Sequence, residues 1–180
     1  MSWVSSFALD LVEALEMERG AQVVYTLCNG GQKDVQMSPL IFFERVITQL
    51  LKTFPELIIV PENLDRLSLQ RFHAVKESPE AAYKILADIL KMIDAKCQLE
   101  MKEMFLLIDR VDVVLMKENS QGRQRFVRAL KQLITEYKSL RIIVTSQFTL
   151  EEMELAKEGK ESVTEVWVDT SKPLAMYSRQ

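Results

Sequence analysis

Apolar residues recur along this chain in two periods, one near 3.6 and one as short continuous runs, and the two alternate. Trp3, Val4, Phe7, Leu11, Ala14 and Leu15 mark one face of a helix from Ser2 to Arg19, with Gly20 placed to stop it. Gln22 to Cys28, containing Val23-Val24-Tyr25-Thr26-Leu27, is β-branched and aromatic and runs into Asn29-Gly30-Gly31, as a strand entering a loop does. Ser38-Pro39 is an N-cap followed by proline at the first helical position, and Leu40, Phe43, Val46, Ile47, Leu50 and Leu51 give that helix an apolar stripe up to Pro55. Ser78-Pro79 repeats the signal ahead of Tyr83, Leu86, Ile89, Leu90 and Ile93, which predicts a long helix to about Ala95; Pro61 to Val75 reads as a connector with room for a short helix.

Met104 to Asp109 and Arg141 to Thr145 are apolar runs of strand length, expected to be buried on two faces. Between them, Gln124 to Lys138 has Phe126, Val127, Leu130, Leu133, Ile134 and Tyr137 at helical spacing. A short acidic helix over Leu150 to Lys157 and a strand over Glu165 to Asp169 complete the series. Strands alternating with helices predict a parallel α/β fold.

Composition narrows the function classes. A chain of 180 residues, 48% hydrophobic, is long enough to bury one core, so residues 1–170 read as one domain and 171–180, polar and containing Pro173, as a tail. Basic and acidic residues nearly balance, 23 against 26, which gives no electrostatic pull toward nucleic acid or anionic lipid. Apolar runs such as Met104 to Ile108 are far too short to span a bilayer and no leader pattern opens the chain, so the expected location is cytoplasmic. Cys28 and Cys97 lack any metal-type grouping and read as buried thiols, and the nine methionines as core filler. His73, the single histidine, has no partners for a triad or a metal cluster, and Arg123, Arg125, Arg128 and Lys131 fall on the polar side of a helix.

In an open parallel sheet, ligands collect at the carboxyl ends of the strands. The residues there are Asn29, Asp109-Arg110-Val111-Asp112 and Thr145-Ser146-Gln147. Four apolar residues and then Asp109 form a Walker B arrangement, in which a buried strand fixes one carboxylate where it can support a magnesium ion. Asp112, three residues on, is the candidate catalytic group, placed to orient or deprotonate water, and Thr145-Ser146 lie where a γ-phosphate sensor would be. The plainer readings are a loop-capping Asp109, a Thr145-Ser146 turn, and an Arg110 that pairs with Asp112 or faces solvent.

Taken in order, Val24-Tyr25-Thr26-Leu27-Cys28, Ser38-Pro39 with Gln49-Leu50-Leu51, Phe105-Leu-Leu-Ile-Asp109-Arg-Val-Asp112 and Ile142-Ile-Val-Thr145-Ser146 resemble the nucleotide-binding domains of STAND-class P-loop NTPases, especially the NACHT-like domains of fungal receptor-type proteins. The resemblance covers roughly residues 2 to 170. It implies a three-layer parallel sheet of the P-loop NTPase type, ATP and magnesium as cofactors, Asp109 as metal support, Asp112 as the water-positioning group, and Ser2, Thr145 and Ser146 as cofactor-binding residues. Its parent would be a nucleotide-dependent signalling switch.

The departures are as informative. The phosphate loop G-x-x-x-x-G-K-[ST] occurs nowhere, and Ser2 stands where that motif's hydroxyl residue would be, so the fold is expected to be incomplete at its N-terminus. Gln147 replaces the arginine of Thr-Ser-Arg, removing a fixed positive charge. The expected function is a partial nucleotide-binding domain that does not hydrolyse ATP, whose missing strand leaves sheet edges for another protein segment or chain. A noncatalytic α/β interaction module is the alternative. A flavodoxin-like or Rossmann-like domain is a third, disfavoured because no Gly-rich turn follows the first strand apart from Asn29-Gly30-Gly31.

Overall fold

The computed structural model describes residues 3–19, 21–28, 37–100, 102–137 and 139–146. Three strands, β1 (Gln22–Leu27), β2 (Met104–Asp109) and β3 (Leu140–Val144), form a sheet in the order β1-β2-β3. Both pairings are parallel, running from Gln22 opposite Met104 to Leu27 opposite Asp109, and from Met104 opposite Leu140 to Ile108 opposite Val144. The expected parallel α/β architecture is present. The acidic helix over 150–157, the strand over 165–169, the 171–180 tail, Ser2 and Gln147 lie outside the described residues.

Side chains alternate along the strands and divide the core in two. On one face Val23, Phe105 and Leu107 meet Ala8 and Val12 of α1 (Trp3–Arg19), with Leu11, Leu15 and Ile143 packed around them. The other face presents Val24, Leu106 and Ile108 to a larger core built by α2 (Pro39–Thr53), α5 (Pro79–Glu100) and α7 (Ser120–Glu136). Helices therefore cover both faces, and all six residues of β2 are buried. Each Leu or Ile so enclosed contributes about 1.5–3 kcal/mol over an exposed one. Phe42 of α2 meets Phe126 of α7 edge to face, ring centroids 5.2 Å apart, a geometry that adds about 0.5–1.5 kcal/mol beyond area burial.

The N-cap reading of α2 holds in atomic detail, since Ser38 Oγ accepts the Ile41 amide at 3.3 Å. α7 begins earlier than the apolar period suggests because Asn119 Oδ1 accepts the Gly122 amide at 2.8 Å and caps it. α5 outlasts its expected end at Ala95, its stripe continuing through Ile93 to buried Cys97. The connector after Pro55 folds into α3 (Glu56–Ile59), a 3-10 turn (Pro61–Asn63) and α4 (Leu69–Val75), and α6 (Asp112–Lys117) follows β2.

Two expectations need correcting. β3 is not buried on both faces: only Leu140 is fully enclosed, Arg141 is exposed and Ile142 to Val144 are half-buried, because β3 is an edge of the described sheet. The methionines are not all core filler, since Met37 and Met104 are buried whereas Met17 and Met116 lie largely in water. His73 is exposed on α4, and Cys28 and Cys97 are buried free thiols.

Candidate functional site

Parallel strands carry their carboxyl ends to one edge of the sheet, and there the register sets residues from three distant segments side by side. Cys28 continues β1, its amide donating to the Asp109 carbonyl at 3.0 Å. Thr145 continues β3, its amide donating to the Ile108 carbonyl at 2.9 Å. Asp109, fully buried at the end of the central strand, thus sits between the ends of β1 and β3.

Thr145 joins the two motifs. Its hydroxyl donates to Asp109 Oδ1 at 2.6 Å and accepts the Arg110 amide at 2.9 Å, while its carbonyl accepts the Val111 amide at 3.1 Å. These contacts hold the chain as it leaves β2, where Arg110 adopts φ 60°, the left-handed region that costs an ordinary residue about 1–2 kcal/mol. The turn directs the Arg110 guanidinium onto Asp112: Nε donates at 3.0 and 3.2 Å to the two carboxylate oxygens and Nη2 at 2.8 Å to Oδ2. The Asp112 side chain is 0% exposed and that of Arg110 12%, so the pair is largely removed from water. The carboxylate beside it raises the Arg110 guanidinium further above its ordinary value and keeps it charged.

Asp109, Asp112, Thr145 and Ser146, expected at one site, all lie at this edge; Ser146 is half-buried next to Thr145. One further residue of the site was not singled out from the sequence, and Cys28 was read there only as a buried thiol and part of the first-strand motif. Arg45 of α2 reaches back to the end of β1, its Nη1 donating to the Leu27 carbonyl at 3.3 Å. The available signal was an arginine interrupting an apolar stretch between Phe43 and Val46. Cys28 lies among these charges, and burial first, then the Asp109 carboxylate, pushes its thiol up to about 12, so it stays protonated and non-nucleophilic. The hydroxyl of Thr26, also buried, has no hydrogen-bond partner among the described residues.

Chemically, the edge offers one rigid carboxylate tied to a hydroxyl, and a second carboxylate held by a guanidinium. Among the described residues no three His, Cys, Asp or Glu side chains converge as a protein cage for a metal. A single carboxylate with a neighbouring hydroxyl suits magnesium, which keeps most of its water and takes its other ligands from phosphates. A cleft of about 680 Å³ opens elsewhere, between α2, α5 and α7, where Phe43, Tyr83 and Phe126 line it and Arg125 pairs with Glu80 at 3.3 Å. Neither aspartate nor Thr145 lines that cleft, and the chemistry-bearing groups converge at the strand ends, so the candidate site is placed there despite the cleft's size. Of the basic residues expected on the solvated side of α7, Arg123 instead turns its Nε to the Leu115 carbonyl at 3.2 Å and closes the α6–α7 corner.

Comparison of the chain with protein-family models, with curated proteins and with solved structures returned no match.

Proposed function

We propose that the chain is a partial nucleotide-binding domain of the STAND/NACHT type, which binds a magnesium nucleotide weakly at the carboxyl edge of the sheet and does not hydrolyse it. The observation that supports this reading is the bond from the Thr145 hydroxyl to buried Asp109 across adjacent strands, the two groups that the reading takes as sensor hydroxyl and Walker B carboxylate. The strand order β1-β2-β3 supports it, because a P-loop NTPase sheet sets the Walker B strand beside the sensor strand. Asp109 would support the ion, Thr145 and Ser146 would face the phosphates, and Ser2 would contribute a hydroxyl in the same reading. ATP would supply the phosphate oxygens that complete magnesium's coordination.

Asp112 is the water-positioning candidate, yet both of its oxygens accept from Arg110, which engages the carboxylate that would have to orient a water. That contact favours binding without turnover. It also supports the second reading, an α/β interaction module that has kept the strand-end geometry without the ligand.

Equilibrium binding of a fluorescent ATP analogue, with and without magnesium, separates the two. Micromolar, magnesium-dependent binding that disappears in Asp109→Ala, with no phosphate release over hours, is the expected result. Absence of binding at millimolar nucleotide would leave the interaction module as the surviving reading.

A further inference from the structure

The cleft between α2, α5 and α7 has a chemistry of its own, apart from the strand ends. Its volume, about 680 Å³, is that of a site for one small molecule, and its walls come from the starts of α2 and α5 and one side of α7. Buried Phe43 and Phe126, ring centroids 5.7 Å apart, line it together with half-buried Leu40, Tyr83 and Ala129. Tyr83 is fixed twice over. Its ring meets Phe43 edge to face at 5.9 Å, and its hydroxyl donates to Gln132 Oε1 of α7 at 3.0 Å. The apolar part of the cleft is therefore aromatic and already ordered, so a flat ring laid against it costs little rearrangement.

Charge in the cleft is uneven. Three cations line it, Lys84, Arg125 and Arg128, against two carboxylates, Glu80 and Glu118. Both carboxylates are engaged. Glu80 pairs with Arg125 at 3.3 Å and accepts the Ser78 hydroxyl at 3.0 Å. Glu118 folds over Gly122 so closely that a Cβ there would collide with its carboxylate, which sets that negative charge against the amino end of α7, where it is favoured. Lys84 and Arg128 stand exposed on facing helices, and neither makes an ion pair among the described residues. Lys84 follows Tyr83 on α5, and Arg128 lies one turn before the Gln132 that Tyr83 reaches on α7, so the two spare cations come to the same stretch of the cleft from opposite walls.

A ligand suited to this cleft has a flat apolar body for the aromatic side and a negative group for Lys84 and Arg128. A protein partner is met over a broad face of about 800 Å², whereas a recess of this size suits one small molecule. The lining's excess of a single positive charge is answered by one negative charge, and the planar fork of Arg128 matches the two oxygens of a carboxylate. We propose that the cleft binds a small aromatic carboxylate, its ring against Leu40 and Tyr83 and its carboxylate between Lys84 and Arg128. The cleft contains neither aspartate of the strand ends nor Thr145, so this ligand is independent of any nucleotide bound there.

Isothermal titration of the full chain with 1-naphthoate, 1-naphthalenemethanol and acetate tests this, the second probe keeping the ring without the charge and the third the charge without the ring. The expected result is one 1-naphthoate per chain with a submillimolar Kd, an alcohol at least about tenfold weaker, and no binding of acetate. Lys84→Gln/Arg128→Gln is expected to weaken 1-naphthoate binding at least about tenfold while far-UV circular dichroism stays unchanged, since neither side chain holds an ion pair in the fold. Ala129→Phe, which fills the recess and keeps both cations, should weaken it as much. Absence of 1-naphthoate binding at millimolar concentration overturns the inference. So does equal affinity for the uncharged alcohol, or 1-naphthoate binding indifferent to either variant.

Discussion

Thr145 and Asp109, 36 residues apart in sequence, meet through a 2.6 Å hydrogen bond across the ends of two neighbouring strands. The same hydroxyl oxygen accepts the amide that follows Asp109, so one small side chain fixes both the carboxylate and the turn leaving it.

Thr145→Val keeps the shape of the side chain and removes both contacts. Loss of this donor to a buried carboxylate, together with loss of the acceptor of the Arg110 amide, is expected to cost about 1–3 kcal/mol, whereas Thr145→Ser should stay close to wild type. Urea unfolding midpoints measure the difference. Equal stability of the Val and Ser variants would show that the hydroxyl does not hold the turn.

Arg110 contributes through its charge and strains the chain through its backbone. Arg110→Ala removes the guanidinium from the buried Asp112 carboxylate, a loss of up to about 3–5 kcal/mol. Arg110→Gly loses the same ion pair but tolerates φ 60°, so it should be more stable than the alanine variant by about 1 kcal/mol. Removing both charges together, in Arg110→Leu/Asp112→Leu, should recover much of the loss, and chemical denaturation of the set orders them.

The Cys28 thiol gives the protein an alkaline weakness. Its folded value near 12 lies above the ordinary 9.0, so above pH 9 the unfolded chain releases this proton while the folded chain retains it. Stability from this group is complete below pH 9 and is lost as pH rises toward 12, by up to about 4 kcal/mol. Unfolding free energy measured from pH 8 to 11 should fall less steeply in Cys28→Ala than in wild type. A thiol reagent at pH 8 should leave Cys28 unmodified until denaturant is added.

Two helix starts make matched predictions. Ser38→Ala and Asn119→Ala each remove the side-chain acceptor for a first-turn amide and should each cost about 1 kcal/mol. The sites lie on different helices, and the double variant should show the sum of the two losses in thermal melts.

The sequence carried the three described strands and the long helices because their signals are local. A Ser-Pro pair, an apolar stripe at helical spacing or an unbroken apolar run acts through neighbours a few residues away. The parallel alternation followed from these, and so did the meeting of Asp109 with Thr145, since strand ends in a parallel sheet share one edge. What was not legible depended on contacts across the fold. β3 has the composition of an enclosed strand, and only its place at the edge of the described sheet shows that it is half-covered. Arg45 reads as one charge on an amphipathic helix until α2 is laid against β1 and its guanidinium reaches the Leu27 carbonyl. The Arg110–Asp112 pair was foreseen as one of two options, and only the left-handed turn, held by Thr145, decides between them. α6 and α3 are short enough that propensity alone does not announce them.

The pairing of β1 with β2 also governs how quickly the molecule can form. It joins residue 22 to residue 104, and the intervening chain includes all of α2 to α5. No part of that ladder repays the entropy of closing so long a loop until several helices have already condensed, whereas α1 can dock on β1 almost at once. Folding should therefore be slower than that of an all-helical chain of this size, with the central strand joining late. Until it does, the aliphatic edge of β1 stands open, and that interval is when the chain is most exposed to mispairing with its neighbours.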